Sequence, residues 1–150
     1  MKIEKELRQE KFNNIYHKVA LNLMFTNNWL FEGQNRVLKP YSFTQPQYNV
    51  LRILRGSPNE ALTVNAIIDR MLDRMSNVSR LVDKLLEKGY VTRSQSSDDR
   101  RSVDIMISQK GLDILEEIDE QQEIWEKSFT TMDENDAKKL SDLLDKLREK

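Results

Sequence analysis

The sequence contains no cysteine, which excludes disulfides, thiolate-bound metal and a thiol redox sensor. Its one histidine, His17, has no serine or aspartate motif attached to it. There is no glycine-rich phosphate loop and no metalloprotease-type histidine pair, so no catalytic residue, metal or cofactor is expected. The acidic residues Glu116, Glu117, Asp119, Glu120 and Glu123 read as a solvated helix face rather than a metal site. Glycine and proline number only 4 and 3 in 150 residues, so breaks are few and the chain should be mostly helical. No apolar run approaches the ~20 residues that span a membrane. The opening MKIEKELRQEK lacks the apolar centre of a signal peptide. A cytoplasmic protein with no membrane partner is the expectation, and it is not an enzyme.

The chain is 38% hydrophobic and 33% charged, which gives a modest core for its length. Long polar helices or an oligomer would reconcile the two values. Formal net charge is −1 and is uninformative about nucleic acid; its distribution says more. Residues 70–110 carry 9 basic and 6 acidic side chains, whereas residues 111–150 carry 6 and 13. Positive charge gathers in the middle, where a phosphate backbone could be met, and the acidic tail belongs far from it.

Apolar residues at helical spacing, Phe12, Ile15, Val19, Leu23 and Leu30, predict a helix over 4–38 that Pro40 and Ser42 stop. Thr44, with Gln47 three residues on, is a candidate cap for a helix carrying Tyr48, Leu51, Ile53 and Leu54. The turn Gly56-Ser57-Pro58-Asn59 closes it. Thr63 is a second candidate cap, ahead of Val64, Ile67, Ile68 and Met71. A third helix is predicted over 75–88, ending at Gly89. Two stretches rich in β-formers follow, Tyr90 to Ser94 and Ser102 to Ile107, around a polar tip; they predict a hairpin. After Ser108 comes a helix with Leu112, Leu115, Ile118, Gln122, Trp125 and Phe129 on one stripe. Met132-Asp133 breaks it, and a last helix uses Ala137, Leu140, Leu143, Leu144 and Leu147. Short helices followed directly by a hairpin are in winged-helix order. The expected fold is mainly α with a small β-hairpin wing, a winged helix-turn-helix with N- and C-terminal dimerisation helices. In that layout 1–40 is the N-terminal dimerisation helix, 41–110 the DNA-binding lobe and 111–150 the C-terminal dimerisation helices, all in one structural domain.

The third helix carries the chemistry. Val78, Leu81, Val82, Leu85 and Leu86 share one face, while Ser76, Arg80, Asp83, Lys84 and Glu87 hold the other, with Asn77 and Ser79 near the leading end. A recognition helix needs this division: an apolar face anchored to the domain and short hydrogen-bonding side chains free to reach base edges. Arg80 can reach a guanine or a phosphate, and Lys84 suits phosphate. An ordinary amphipathic surface helix has the same pattern, and it is the hairpin that weighs against that reading. Its tip holds Arg100 and Arg101 beside Asp98-Asp99, and Arg93 lies on its first strand. A narrow minor groove attracts an inserted arginine, and Asp99 falls on the same side of an extended segment as Arg101. One helix and one wing neutralise few phosphates, so two copies reading a pseudo-palindrome in double-stranded DNA are expected. The apolar stripes at Phe12, Ile15 and Val19 and at Trp125, Phe129, Leu140, Leu143, Leu144 and Leu147 exceed the needs of a small winged-helix core. They would pair the subunits of a homodimer; the same residues could instead close a monomeric bundle.

Taken in order, Leu62-Thr63-Val64, Val78-Ser79-Arg80-Leu81-Val82-Asp83-Lys84-Leu85, Lys88-Gly89-Tyr90-Val91, Asp99-Arg100-Arg101-Ser102 and Ser108-Gln109-Lys110-Gly111 resemble the landmarks of the MarR family of transcriptional regulators. The resemblance covers about residues 44–111; the flanking helices match by layout only. It implies a sequence-specific DNA-binding regulator, a repressor in the first instance. Arg101 would lie in the minor groove beside Asp99, and Ser76, Asn77, Ser79 and Arg80 would face the major groove. It also implies a small aromatic effector, for which Tyr16, His17, Phe25, Trp29, Phe43 and Tyr48 are candidate linings; each serves equally as core or interface. Where the family has a glycine and then a capping serine before its recognition helix, this chain has Leu72 and Arg74. Asp73 is the candidate cap there, or the helix is longer and more continuous than the family norm. The rival to DNA binding is a winged-helix protein-interaction module.

Overall fold

The computed structural model describes residues 1–57, 60–95, 103–129 and 131–149. The chain divides into two compact units, residues 1–45 and 46–150. Among the described residues no helix is long and apolar enough to cross a membrane.

In the first unit the expected single helix over 4–38 is broken. A one-turn helix α1 (Ile3–Glu6) is followed by α2 (Ile15–Leu38). The break follows from local chemistry. Arg8 adopts a left-handed backbone, φ 50°, and the Asn14 side chain accepts a hydrogen bond from the His17 N–H at 2.9 Å, starting α2 afresh. An asparagine favours such a cap over a helix interior because its side chain competes for backbone groups. The Lys18 ammonium donates to the Glu4 carboxylate at 2.5 Å and ties α1 to α2. Pro40 sits in a 3₁₀ turn, Lys39–Tyr41, and Ser42 takes φ 56°; together they end α2 where the sequence says. Ile3 and Leu38 are buried. Most of the other large apolar side chains of α2 are exposed, Ile15 at 63% and Met24 at 64% among them.

The second unit is the winged helix. Helix α3 (Gln45–Arg55) starts directly after Thr44 and buries Tyr48, Val50, Leu51 and Leu54. Strand β1 (Leu62–Thr63) leads into α4 (Val64–Ile68), whose cap is the Thr63 hydroxyl accepting from the Ala66 N–H at 3.2 Å. Helix α5 (Val78–Glu87) follows, then β2 (Val91–Gln95) and β3 (Val103–Ile107). The hairpin is antiparallel with Val91 opposite Ile107 and Gln95 opposite Val103. Strand β1, not foreseen from the sequence, pairs with β3 through Leu62 opposite Ile105 and makes a three-stranded sheet of order β1-β3-β2. Two residues carry too little period-2 pattern to announce a strand.

Helices α6 (Gln109–Glu126) and α7 (Glu134–Arg148) complete the unit. A dense junction fixes the start of α6. Gly89 takes φ 76°, a left-handed conformation only glycine adopts without strain, and Gly89 N–H and Tyr90 N–H donate back to Leu86 and Leu85 carbonyls. The Ser108 hydroxyl donates to the Gly89 carbonyl at 2.7 Å and accepts from the Gly111 N–H at 3.1 Å. Lys110 donates to the Lys88 carbonyl at 2.7 Å, its ammonium 4.8 Å from the Tyr90 ring centre. The two sequence landmarks Lys88-Gly89-Tyr90-Val91 and Ser108-Gln109-Lys110-Gly111 are thus the two halves of one joint. Further along, Arg55 grips Asp119 through two hydrogen bonds, 2.5 and 3.2 Å, linking α3 to α6. Leu115 and Ile118 are fully buried, while α7 buries nothing, its Leu143 and Leu147 exposed at 56% and 57%.

Candidate nucleic-acid interface

Helix α5 divides as the sequence indicates. Val78, Val82 and Leu85 are buried, whereas Ser79, Arg80, Asp83, Lys84 and Glu87 are exposed. Leu86, assigned to the apolar face, is partly out of it at 38% exposure.

The start of the helix differs from expectation. It begins at Val78 rather than Met75, and the cap is Asn77, not Asp73: the Asn77 Oδ1 accepts from the Arg80 N–H at 3.1 Å. A helix continuous from α4 does not form, because α4 ends at Ile68 and turns occupy the stretch between. Asp73 braces that stretch instead. Its carboxylate accepts from the Met75 N–H and from the Ser76 hydroxyl, both at 2.9 Å, and its carbonyl accepts from the Ser76 N–H at 3.2 Å. Leu72 N–H donates to the Asn49 side chain at 2.9 Å, which pins the turn to α3. The turn is therefore held at both ends by side-chain oxygens in place of the glycine and serine of the expected pattern. One consequence falls on the candidate readers. The Asn77 oxygen and the Ser76 hydroxyl proton are committed locally, leaving the Asn77 amide to donate and the Ser76 oxygen to accept.

Arg80 and Lys84 form no ion pair among the described residues, so both can meet phosphate or base. Arg93 on β2 is engaged: it donates to the Asp83 carboxylate at 3.0 Å, joining the first wing strand to the outer face of α5. Asp99, Arg100 and Arg101 lie outside the described residues. The strand ends that flank them, Gln95 and Val103, are paired.

Sequence reasoning missed two features of this surface. Leu72 and Met75 are exposed at 90% and 93%, immediately ahead of α5. The signal was present, since an apolar residue stood at a turn position, but it registered only as a departure from a pattern.

Of the candidate effector linings, Tyr16, His17, Phe25, Trp29 and Phe43 fall in the first unit and Tyr48 in the second. In the first unit Phe25 and Trp29 line an open recess of about 320 Å³ with Met1, Ile3, Glu6, Asn22 and Thr26. Tyr16 is exposed at 80%, and His17 packs edge-on to Phe12 with ring centres 6.2 Å apart. Phe43 is buried, as is Tyr48 in the second unit, where the Tyr48 hydroxyl accepts from Arg52 at 3.1 Å.

Residues 43–103 match the model of the MarR family. The chain is 24% identical over 105 residues to the transcriptional repressor MprA of Escherichia coli strain K12, a match covering 69% of this chain and 60% of the repressor's own length. Its fold is similar to that of a mutant E. coli MarR solved in complex with operator DNA. There the TM-score is 0.80 at 20% identity, over 93% of this chain and 100% of that one. A second similar fold belongs to Bordetella bronchiseptica BpsR, whose structure concerns regulation of DNA binding by 6-hydroxynicotinic acid. It has a TM-score of 0.80 at 18% identity, over 93% of this chain and 99% of the other.

Proposed function

We propose that this chain is a member of the MarR family, and that it is a cytoplasmic, non-enzymatic transcriptional regulator that binds a pseudo-palindromic operator as a homodimer. The recognition element is the outer face of α5, with Ser76, Asn77, Ser79 and Arg80 toward the major groove and Lys84 toward phosphate. The wing arginines Arg100 and Arg101, with Asp99, serve the minor groove, and Arg93 supports them from the strand. The observation that carries this reading is a helix anchored by Val78, Val82 and Leu85 whose opposite face is polar, exposed and led by a braced turn. A protein-interaction module leaves that face without a role. Repression is supported by the likeness to MprA, a transcriptional repressor.

The dimer reading rests on apolar faces of α2 and α7 that one chain leaves exposed. A row of exposed apolar side chains along a helix is what an interface leaves when the partner is absent. A small aromatic effector is supported by the likeness to BpsR, whose DNA binding is regulated by 6-hydroxynicotinic acid; in this chain it would act only by favouring one spacing of the two recognition helices over another.

The test is a mobility-shift titration of the chain on the DNA upstream of its own gene at two salt concentrations, beside Arg101→Ala. Binding should weaken steeply as salt rises, because neutralised phosphates release counterions, and Arg101→Ala should weaken it most at A·T-rich flanks. Absence of binding, or binding indifferent to salt, overturns the reading. In sedimentation, Leu143→Glu with Leu147→Glu should turn a dimer into monomers.

A further inference from the structure

Leu72 and Met75 have no structural reason to be apolar. Neighbouring Met71 is buried at 5%, whereas Leu72 and Met75 are exposed at 90% and 93%, more than any other large apolar side chains except the terminal Met1. They are not on a floppy segment. The Asn49 side chain holds the Leu72 N–H, and the Asp73 carboxylate holds the Met75 N–H and the Ser76 hydroxyl. Two apolar side chains are thus presented to solvent on a backbone whose conformation is already set, so little order remains to be imposed when they meet a partner.

Their setting selects the partner. Met75 lies two residues before the α5 cap, Asn77. The exposed cations Arg70, Arg74, Arg80 and Lys84 surround the turn in sequence; of the two acids between α4 and α5, Asp69 sits at the C-cap of α4 and Asp73 is occupied by the turn's own hydrogen bonds. A surface that is basic at its edges and apolar at its centre fits a polyanion carrying apolar points. The major groove of DNA has such points only at the C5-methyl groups of thymine. We propose that Leu72 and Met75 are specificity-determining residues that pack on thymine methyl groups, so that each half-site has a thymine requirement set by the turn and not by the α5 side chains. The proposal rests on the DNA-binding reading above.

The experiment uses the full chain and a duplex selected by that chain from a random-sequence library. Each thymine of the selected duplex is replaced in turn by deoxyuridine, which removes one methyl group and leaves every hydrogen-bonding atom in place. At one or two positions per half-site the replacement should weaken wild-type binding about fourfold, the value of one apolar carbon removed from contact. In Leu72→Ser or Met75→Ser that sensitivity should vanish at one of those positions, with the variant binding thymine and uracil duplexes equally. Both side chains are exposed, so both variants should fold; a melting temperature matching wild type checks this. Wild-type indifference to uracil at every position overturns the proposal while leaving DNA binding intact. So does undiminished sensitivity in both variants, which would place the methyl contact elsewhere. If the chain selects no sequence at all, the functional reading fails, and this inference fails with it.

Discussion

Gly111 offers a test in which helix propensity and packing predict opposite signs. It is the third residue of α6, where alanine should stabilise a helix by about 1 kcal/mol over glycine. Its φ is not in the left-handed region, so no backbone strain opposes the change. The surroundings do. A Cβ at this position would sit 2.7 Å from the Ile107 Cγ1 and closer still to the Tyr90 carbonyl oxygen. That carbonyl is backbone and cannot rotate away, and it already accepts from the Ser108 N–H at 3.0 Å. Relief requires α6 to lift from the end of β3, at roughly 1–3 kcal/mol for overpacking and about 1 kcal/mol for a weakened hydrogen bond. After subtracting the propensity gain, Gly111→Ala should destabilise by about 1–3 kcal/mol. For a chain of this length that lowers the melting temperature by roughly 2–12 °C. Thermal unfolding followed by circular dichroism at fixed protein concentration measures it, since association would otherwise shift the midpoint. A melting temperature equal to or above wild type refutes the argument and means that the joint between Tyr90, Ser108 and Gly111 is looser than its geometry states.

Asn77 has two roles that substitution can separate: Asn77→Ala should lose about 1 kcal/mol of stability with the cap, whereas Asn77→Ser should restore the melting temperature yet still lose the amide donor. Altered base preference in both variants, at about 1–3 kcal/mol per lost contact, identifies the amide as a reader; unchanged preference in Asn77→Ser assigns the residue to capping alone. Asp83→Asn should release Arg93 from its ion pair, tighten DNA binding and steepen the log–log salt dependence by about 0.9 per new phosphate contact; adding Arg93→Met should cancel both changes. Finally, the Lys18 ammonium beside Glu4 holds that carboxyl below its ordinary 4.5. A depressed carboxylate contributes stability above its unfolded value and loses it as pH falls through the folded one. Hydrogen exchange of α1 should therefore accelerate as pH drops below 4.5 in the wild type, after allowance for intrinsic rates, while Glu4→Gln should exchange fast throughout.

The legible parts of the fold are those governed by local rules. Thr63, read as a cap, caps α4; Ser108 and Asp133, read only as boundaries, prove to cap α6 and α7; and Gly89 ends α5, all by short-range hydrogen bonding that a few residues specify. The hairpin was legible because Val103, Ile105 and Ile107 alternate over a full strand. What escaped depended on competition or on distant partners. Asn14 interrupts an apolar periodicity that continues across it, so the pattern alone gave one helix where there are two. Leu62-Thr63 becomes a strand only because β3 offers Ile105 and Asp104 to pair with. Between α4 and α5 the sequence pointed to Asp73 as the cap and to Asn77 only as a reader, and it could not say that Asn49, on another helix, would hold the Leu72 amide and leave Asp73 to brace the turn. The face of α5 was readable in outline, but the local engagement of Ser76, Asn77 and Arg93 was not.

That engagement bears on how affinity and selectivity divide in this chain. Side chains closest to the leading end of α5 have part of their hydrogen-bonding capacity committed to the protein. Such bonds restrict their rotamers in the free protein, and on the proposed reading this would favour discrimination over strength, because an ordered side chain adapts poorly to a wrong base. Strength must come from elsewhere. Among the described residues of the lobe, Arg70, Arg74, Arg80 and Lys84 are the exposed cations ahead of and along α5. Four phosphate contacts would give a salt slope of roughly −4, and two lobes on one operator roughly −7. Only the larger value matches the steep dependence of tight specific binders, so on the proposed dimer reading the apolar faces of α2 and α7 would decide whether the α5 surface holds an operator at physiological salt.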